Sequence, residues 1–535
     1  MQFFDFKANI KNICKLSALF ILVYFLSYLG FLYPFINSFV FWLIIVIFIV
    51  TCFYKIEYGL LILLAELFIG SKGYLFSFSI SNFVVSLRLA LFVLLSLFWL
   101  FYRFKSKNIR FFKTNLLIPF IIFILFLVVG VIIGLIKNNP KILFFDVNAY
   151  LYFALILIIF DLIFEKQQIK KIWLVFTAAV ITLSLFTLFV LTNFGLIIYN
   201  PNLAKATQVE EEQLRKLEEL STIPENARLA QTTKIAREKL KLNWSDITRD
   251  KSTLYRWLKD SGMAEVSYIG GRFFRVFSPS QFYVAIYLII LLGYFFHKKT
   301  KVFIRSDLPW IIIFVLLLVS TLVGFSRSFW LGLIAGFIYL LFGLSVKRIV
   351  KIICNVTILL IFTTMVVYFV SNPFTQIIKE RITSFINPTS ELAATNRMSM
   401  LSPILQKIKE SPIIGSGFGT LITFKALIPG TDIVEYIKVY IYEWAYLDII
   451  VKIGILGLFS YLFFIAIVIK NAYHSLKNNE DIETKIFIRG MLAGLIFLLV
   501  VHLTTPFLNH PLGIGYLIIC SVVFWLFKYK QVKSV

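Results

Sequence analysis

Residues 411–458 read SPIIGSGFGTLITFKALIPGTDIVEYIKVYIYEWAYLDIIVKIGILGL. Gly415, Gly417 and Gly419 break the opening of this stretch into a turn. Its close begins as a polar and aromatic patch and becomes an apolar run that can cross a bilayer as a helix. Glu443, Asp448 and Lys452 stand at the mouth of that helix or inside it. Ionisable groups at membrane depth are costly, so each is a functional candidate.

Working outward, similar apolar runs recur along the whole chain. Of 535 residues, 59% are hydrophobic and 15% are charged, and mean hydropathy is +0.87. A soluble protein of this length is excluded. The composition predicts an all-α polytopic integral membrane protein of about fourteen transmembrane helices, within a range of about twelve to fourteen.

The expected organisation has five parts. Residues 1–199 and 279–370 supply N-terminal and central membrane helices, and residues 441–535 the C-terminal ones. Residues 200–278 form an outer-side helical cap and hairpin, and residues 371–440 an outer-side loop with an amphipathic helix. In the first outer region AEVSYIGGRFFRVF predicts a β-hairpin turning at Gly270-Gly271. In the second, Leu401, Ile404, Leu405 and Ile408 recur at helical spacing. The stretch GSKGYLFSFSISN after a short third run predicts a dip into the membrane without a full span.

The net charge of +25 does not point to nucleic acid, because position decides its meaning. Lysine and arginine cluster in short loops such as YRFKSKNIRFFK, HKKTKVFIR and SVKRIVK, and these alternate with apolar runs. That is the positive-inside pattern, and it places both termini in the cytoplasm. Lys7, Lys11 and Lys15 precede an apolar run with no small-residue cleavage site, which predicts a retained first span. Cys14, Cys52, Cys354 and Cys520 lie in or beside apolar runs without metal-site or disulfide spacing, so they read as packing residues. No metal cluster and no cofactor motif is visible in the outer loops.

The chemistry-bearing candidates fall on the outer side. Arg272 and Arg275 lie in GGRFFRVFSPSQ, Arg327 in GFSRSFWLG and Arg397 in TNRMSML. Arginine near an outer membrane boundary runs against the charge trend, and its planar fork suits phosphate oxygens. An interfacial arginine that snorkels or pairs with a carboxylate is the bland alternative. On a strand Arg272 and Arg275 point to opposite faces, so one of the two would face a site. Trp444, Tyr442 and Tyr446 fit an aromatic belt. Glu443, at the edge of a low-dielectric region, suits proton abstraction, or alternatively complements a helix N-terminus. Asp448 and Lys452, four residues apart, read as one internal ion pair. Arg88 and Glu66 lie in early spans and are placed to pair. His502 and His510 lie near the outer end of a late span, with His510 the candidate for substrate contact or proton transfer.

Three segments together resemble the O-antigen ligase and O-antigen polymerase superfamily of bacterial membrane glycosyltransferases. SRSFWLGLIAGFIYLLF resembles its arginine-bearing turn into a span. NRMSMLSPILQKIKESPIIGSGFGT resembles its arginine, amphipathic helix and PxxGxGxG element. YEWAYLDIIVKIGILGL resembles its HNxYLxxxxxxGixG segment, with Glu443-Trp444 where ligases of the family usually have His-Asn. The resemblance implies a polyprenyl-diphosphate-linked oligosaccharide donor, a glycan or lipid acceptor and a site on the outer face of the bacterial cytoplasmic (inner) membrane. It implies inverting, metal-independent glycosyl transfer without a cofactor. In this reading Glu443 and Arg327 are catalytic, and Arg272, Arg275, Arg397, Tyr446 and His510 bind substrate. A polymerase of surface polysaccharide repeats fits the missing histidine best. A ligase or protein O-oligosaccharyltransferase is the near alternative. A flippase for lipid-linked sugars is the alternative from another class.

Overall fold

The computed structural model describes residues 3–4, 6–80, 83–105, 109–198, 252–270, 273–297, 308–342, 344–354, 357, 361, 392–427 and 434–528. Arg272, residues 200–251 of the expected cap and most of residues 352–370 of the expected central membrane part lie outside these residues. The described chain is a helical bundle with three small two-stranded sheets. Eight of its helices are long and apolar enough to cross a membrane, and three shorter apolar helices accompany them. This is a polytopic helical membrane protein.

The first half contains α1 (Phe6–Leu32), α2 (Pro34–Tyr54) and α3 (Ile56–Ile69). The hairpin β1 (Ser77–Ile80) and β2 (Phe83–Ser86) follows, where a dip into the membrane was expected. Alternating Ser and apolar residues in SFSI are a strand pattern too short to have been separated from the flanking runs. Next come α4 (Leu87–Lys105) and α5 (Leu117–Lys137). The next apolar segment is broken into α6 (Pro140–Val147), a 3-10 stretch over Asn148–Ala154 and α7 (Leu155–Leu162). Asn139 caps α6, its side chain accepting from the Lys141 amide, and proline follows at the first helical position. The long α8 (Lys166–Thr192) completes this half.

The second half begins with α9 (Thr253–Asp260), whose N-cap Ser252 accepts from the Tyr255 amide. The expected hairpin forms between β3 (Glu265–Gly270) and β4 (Phe273–Phe277), with Ser267 opposite Arg275. The helices α10 (Gln281–His297), α11 (Leu308–Val323) and α12 (Arg327–Leu341) follow. The predicted amphipathic helix is α13 (Leu392–Glu410), and it carries Pro403. A third hairpin, β5 (Ile422–Leu427) with β6 (Val434–Val439), joins it to α14 (Ala445–Asn478). Helices α15 (Ile482–Val501) and α16 (Pro511–Lys528) close the chain.

The two ends of the bundle differ in chemistry. At the basic-loop end the main chain of Phe3 and Phe4 is tied down. Trp173 Nε1 donates to the Phe3 carbonyl (3.1 Å), and Trp310 Nε1 to that of Phe4 (2.8 Å). The Phe4 amide donates to Glu483 Oε1 (2.9 Å). Asn478 Nδ2 reaches the Lys528 carbonyl at the same end (2.8 Å), so both described chain ends meet there. At the opposite end the β3–β4 hairpin and α9 lie over the helices. The Ser71 hydroxyl donates to the Met263 carbonyl (3.1 Å), and Trp257 Nε1 donates to Ser27 Oγ (3.1 Å).

Candidate active site

The glycine turn is threaded into a break in α14. Gly454 has φ +73°, which an α-helix cannot accommodate, and the helix kinks there. Carbonyls and amides freed by the kink find partners in Pro412–Gly417. The Ser416 amide donates to the Val451 carbonyl (2.6 Å) and the Gly417 amide to that of Lys452 (3.1 Å). In return the Ile455 amide donates to the Pro412 carbonyl (2.9 Å). This exchange satisfies backbone groups that would otherwise be stranded in an apolar interior. It also requires close approach. A Cβ on Gly417, at φ +87°, would sit 2.4 Å from the amide nitrogen of Gly134 on α5.

Below the kink lies an ionic cluster. Lys452 Nζ donates to Asp448 Oδ2 (2.8 Å), as the four-residue spacing predicted, and also to Asp146 Oδ1 on α6 (2.5 Å). All three side chains are almost wholly excluded from solvent. The remaining oxygens are engaged as well. Asp146 Oδ2 accepts from the Gly419 amide (2.8 Å), and Asp448 Oδ1 from the Tyr442 amide (3.1 Å). Asp146 was not singled out from the sequence. The available signal was an acid inside an apolar run, LFFDV, but that run reads equally well as an outer loop.

The second expected pair also forms. Arg88 donates through Nε to Glu66 Oε2 (2.8 Å) and through Nη2 to Glu66 Oε1 (3.2 Å), both side chains buried. Asp161, likewise not foreseen, accepts from Trp99 Nε1 (2.9 Å), Arg103 Nε (2.6 Å) and the Arg110 amide (3.0 Å) at the basic-loop end.

Of the described site candidates, Tyr446 contacts the last turn of α15, Arg327 neighbours a serine bonded just past it, and His510 lies in the loop that follows. Arg397 on α13 pairs with Glu443 just before α14. The adjacent Trp444 donates its indole N–H to the Arg397 carbonyl (2.9 Å). Both residues of the Glu-Trp dipeptide therefore hold one arginine. Glu443 remains 48% exposed and Arg397 32% exposed, so the pair is open to a ligand. Tyr446 directs its hydroxyl to the Leu499 carbonyl on α15 (2.9 Å), and its ring lies edge-on to His502 (4.7 Å between centroids).

Arg275 and Arg327 meet at one turn. Arg275 Nε donates to the Gly324 carbonyl (2.9 Å), three residues before Arg327 opens α12. The turn is tight, with Phe325 at φ +44°. The guanidinium of Arg275 also lies 5.0 Å from the Phe277 ring centre. Ser328, beside Arg327, bonds Thr505 just past α15 (3.3 Å). The arginine turn and the Arg397–Glu443 pair thus flank the same end of α15.

His510 lies in the loop between α15 and α16. Its Nδ1 accepts from the Leu512 amide (3.3 Å), so in the neutral ring the proton sits on Nε2. Burial, with Arg88 and Lys72 nearby, pushes its pKa down to about 3. A neutral imidazole with Nε2–H is a hydrogen-bond donor at this position.

Residues 312–462 match the family model Wzy_C, O-Antigen ligase. The match covers the arginine turn, α13, the glycine turn and the first half of α14. It supports a membrane glycan-transfer function of the O-antigen ligase superfamily, with a lipid-linked glycan and an acceptor as partners. No curated protein matches the chain. Within the matched segment the glycine turn supports the kink of α14, and Glu443 precedes that helix. Arg275 comes from outside the segment, carried in by the β3–β4 hairpin.

Proposed function

We propose that the protein transfers glycans from a polyprenyl-diphosphate carrier at the outer face of the bacterial cytoplasmic membrane, lengthening surface polysaccharide repeat by repeat. The observation that carries this is the convergence of the Arg275–Arg327 turn and the Arg397–Glu443 pair on one end of α15. One group supplies positive charge for a diphosphate, and the other a carboxylate for an acceptor hydroxyl.

Arg327, with Arg275, holds the diphosphate and stabilises the charge that grows on it as the glycosidic bond breaks. Arg397 orients Glu443 through the ion pair between them. Glu443 accepts the acceptor's hydroxyl proton. The acceptor oxygen attacks the anomeric carbon from the face opposite the carrier, forming the new C–O bond as the bond to phosphate breaks. The lipid diphosphate departs with the electron pair, and the configuration inverts. A diphosphate is a good leaving group, so the chemistry does not require a metal. In this reading His510 Nε2–H donates to a sugar hydroxyl.

The sided arrangement follows from the charge pattern, with the basic-loop end and both termini cytoplasmic. A polymerase is favoured over a ligase because Glu443-Trp444 replaces His-Asn and is committed to Arg397. Purified protein in liposomes, supplied with glycan-charged polyprenyl diphosphate, tests the reading. Lengthened carrier-bound glycan is the expected product. Movement to a different acceptor would identify a ligase or protein glycosyltransferase, and unaltered donor appearing in the other leaflet would identify a flippase.

A further inference from the structure

Asp448 does more than neutralise Lys452. Its Oδ1 accepts from the amide of Tyr442, the residue before Glu443 (3.1 Å). Its Oδ2 accepts from Asn509 Nδ2, on the residue before His510 (3.0 Å). One buried carboxylate therefore grips the chain immediately ahead of two site residues that lie on different segments. Lys452 bonds the same Oδ2 and anchors it to Asp146, and Asp146 in turn holds Gly419 of the glycine turn. In a low-dielectric interior such charge-assisted bonds are short and stiff, so a shift at Asp448 reaches both turns together.

Resting on the glycan-transfer reading above, we propose that Asp448 is a positioning residue. It sets Glu443 and His510 in register with each other, and the Lys452–Asp146 pair keeps its carboxylate charged and fixed. A purely stabilising buried carboxylate has no such reach into the site. Asp161 supplies that comparison, because it is fully buried and holds three donors at the opposite end of the bundle.

The experiment compares wild type, Asp448→Asn, Asn509→Ala and Asp161→Asn in proteoliposomes. Hydrogen–deuterium exchange is followed in peptides covering 440–447 and 505–512. Glycan transfer is followed with polyprenyl-diphosphate glycan lipids extracted from the cells that make the protein. In Asp448→Asn at least one of the two peptides should exchange about tenfold faster, since the amide keeps one acceptor oxygen where the carboxylate offered two. Transfer should fall about 100-fold in kcat, with the donor KM changed less than about threefold, as expected for lost alignment. Asn509→Ala should loosen the 505–512 peptide alone and lower transfer about tenfold. Asp161→Asn should leave both peptides and kcat at wild-type values, whatever its thermal stability.

Unchanged exchange in both peptides of Asp448→Asn, or loosened peptides with unchanged kcat, would overturn the proposal. So would an equal loss of kcat in Asp161→Asn. If Asp448→Asn does not fold, Asn509→Ala decides alone, and unaltered exchange at 505–512 overturns it. A wild-type protein that transfers no glycan sinks the functional reading, while the exchange data still report whether Asp448 holds both turns.

Discussion

Glu443 illustrates how a single position changes the chemistry around it. The carboxylate and indole of Glu443-Trp444 both engage Arg397. Glu443→Gln removes the proton acceptor while keeping the shape, so transfer should fall about 100- to 10,000-fold with the fold intact. Arg397→Ala should lower the same rate less, because the carboxylate survives but loses its orientation. Steady-state kinetics on both variants, with thermal unfolding as the control for folding, checks this order. His510 yields a prediction on pH. Its folded pKa of about 3 lies below the ordinary 6.5, so the unfolded chain takes up a proton first as pH falls. The stability contributed by the neutral ring is complete above about pH 6.5 and is lost progressively toward pH 3, with a slope of at most about 1.4 kcal/mol per unit. His510→Gln should flatten that part of the unfolding profile measured in detergent. These residue types were legible in the chain, but their pairing was not. Arg397 and Glu443 are 46 positions apart, and only the folded turn brings them together.

At the level of elements, the glycine turn and the kink of α14 form one unit. Gly417→Ala adds a Cβ against the backbone of α5 at a positive φ, so strain and overpacking act together. The expected loss is about 2–5 kcal/mol, read as a lowered denaturant midpoint or failure to accumulate in the membrane. The helical periodicity of α13 and the strand pattern of β3–β4 were readable because their signals are local, although Gly270, expected in the turn, pairs with Phe273 as part of β3. The β5–β6 hairpin was missed although ITFKAL alternates, with Ile422, Phe424 and Ala426 buried. The Pro-Gly dipeptide in the sequence IPGTD was the sign that could have revealed it. The break over Asn148–Ala154 and the kink at Gly454 could not be anticipated by hydropathy. A window average passes smoothly over both, and each is stabilised by contacts from distant segments.

Across the whole molecule, alternating basic loops carried the bundle reading, and the meeting of Phe3, Phe4 and Lys528 at one end agrees with it. Sidedness can be checked in a cysteine-free background. The exposed Lys438→Cys at the site end should react with a membrane-impermeant maleimide in intact cells, and the exposed Lys477→Cys at the other end only after lysis. The reverse pattern would place the site in the cytoplasm. The arginines at the site end were conspicuous because they oppose the charge trend, whereas Asp146 was not, since burial is a property of the fold. The claim on which everything else depends is that Arg327 stabilises a departing lipid diphosphate. The direct test is single-turnover glycan transfer by reconstituted Arg327→Ala beside wild type, with unfolding temperatures matched. The rate in the variant should be at least about 100-fold lower. Wild-type transfer by a folded Arg327→Ala protein would contradict it.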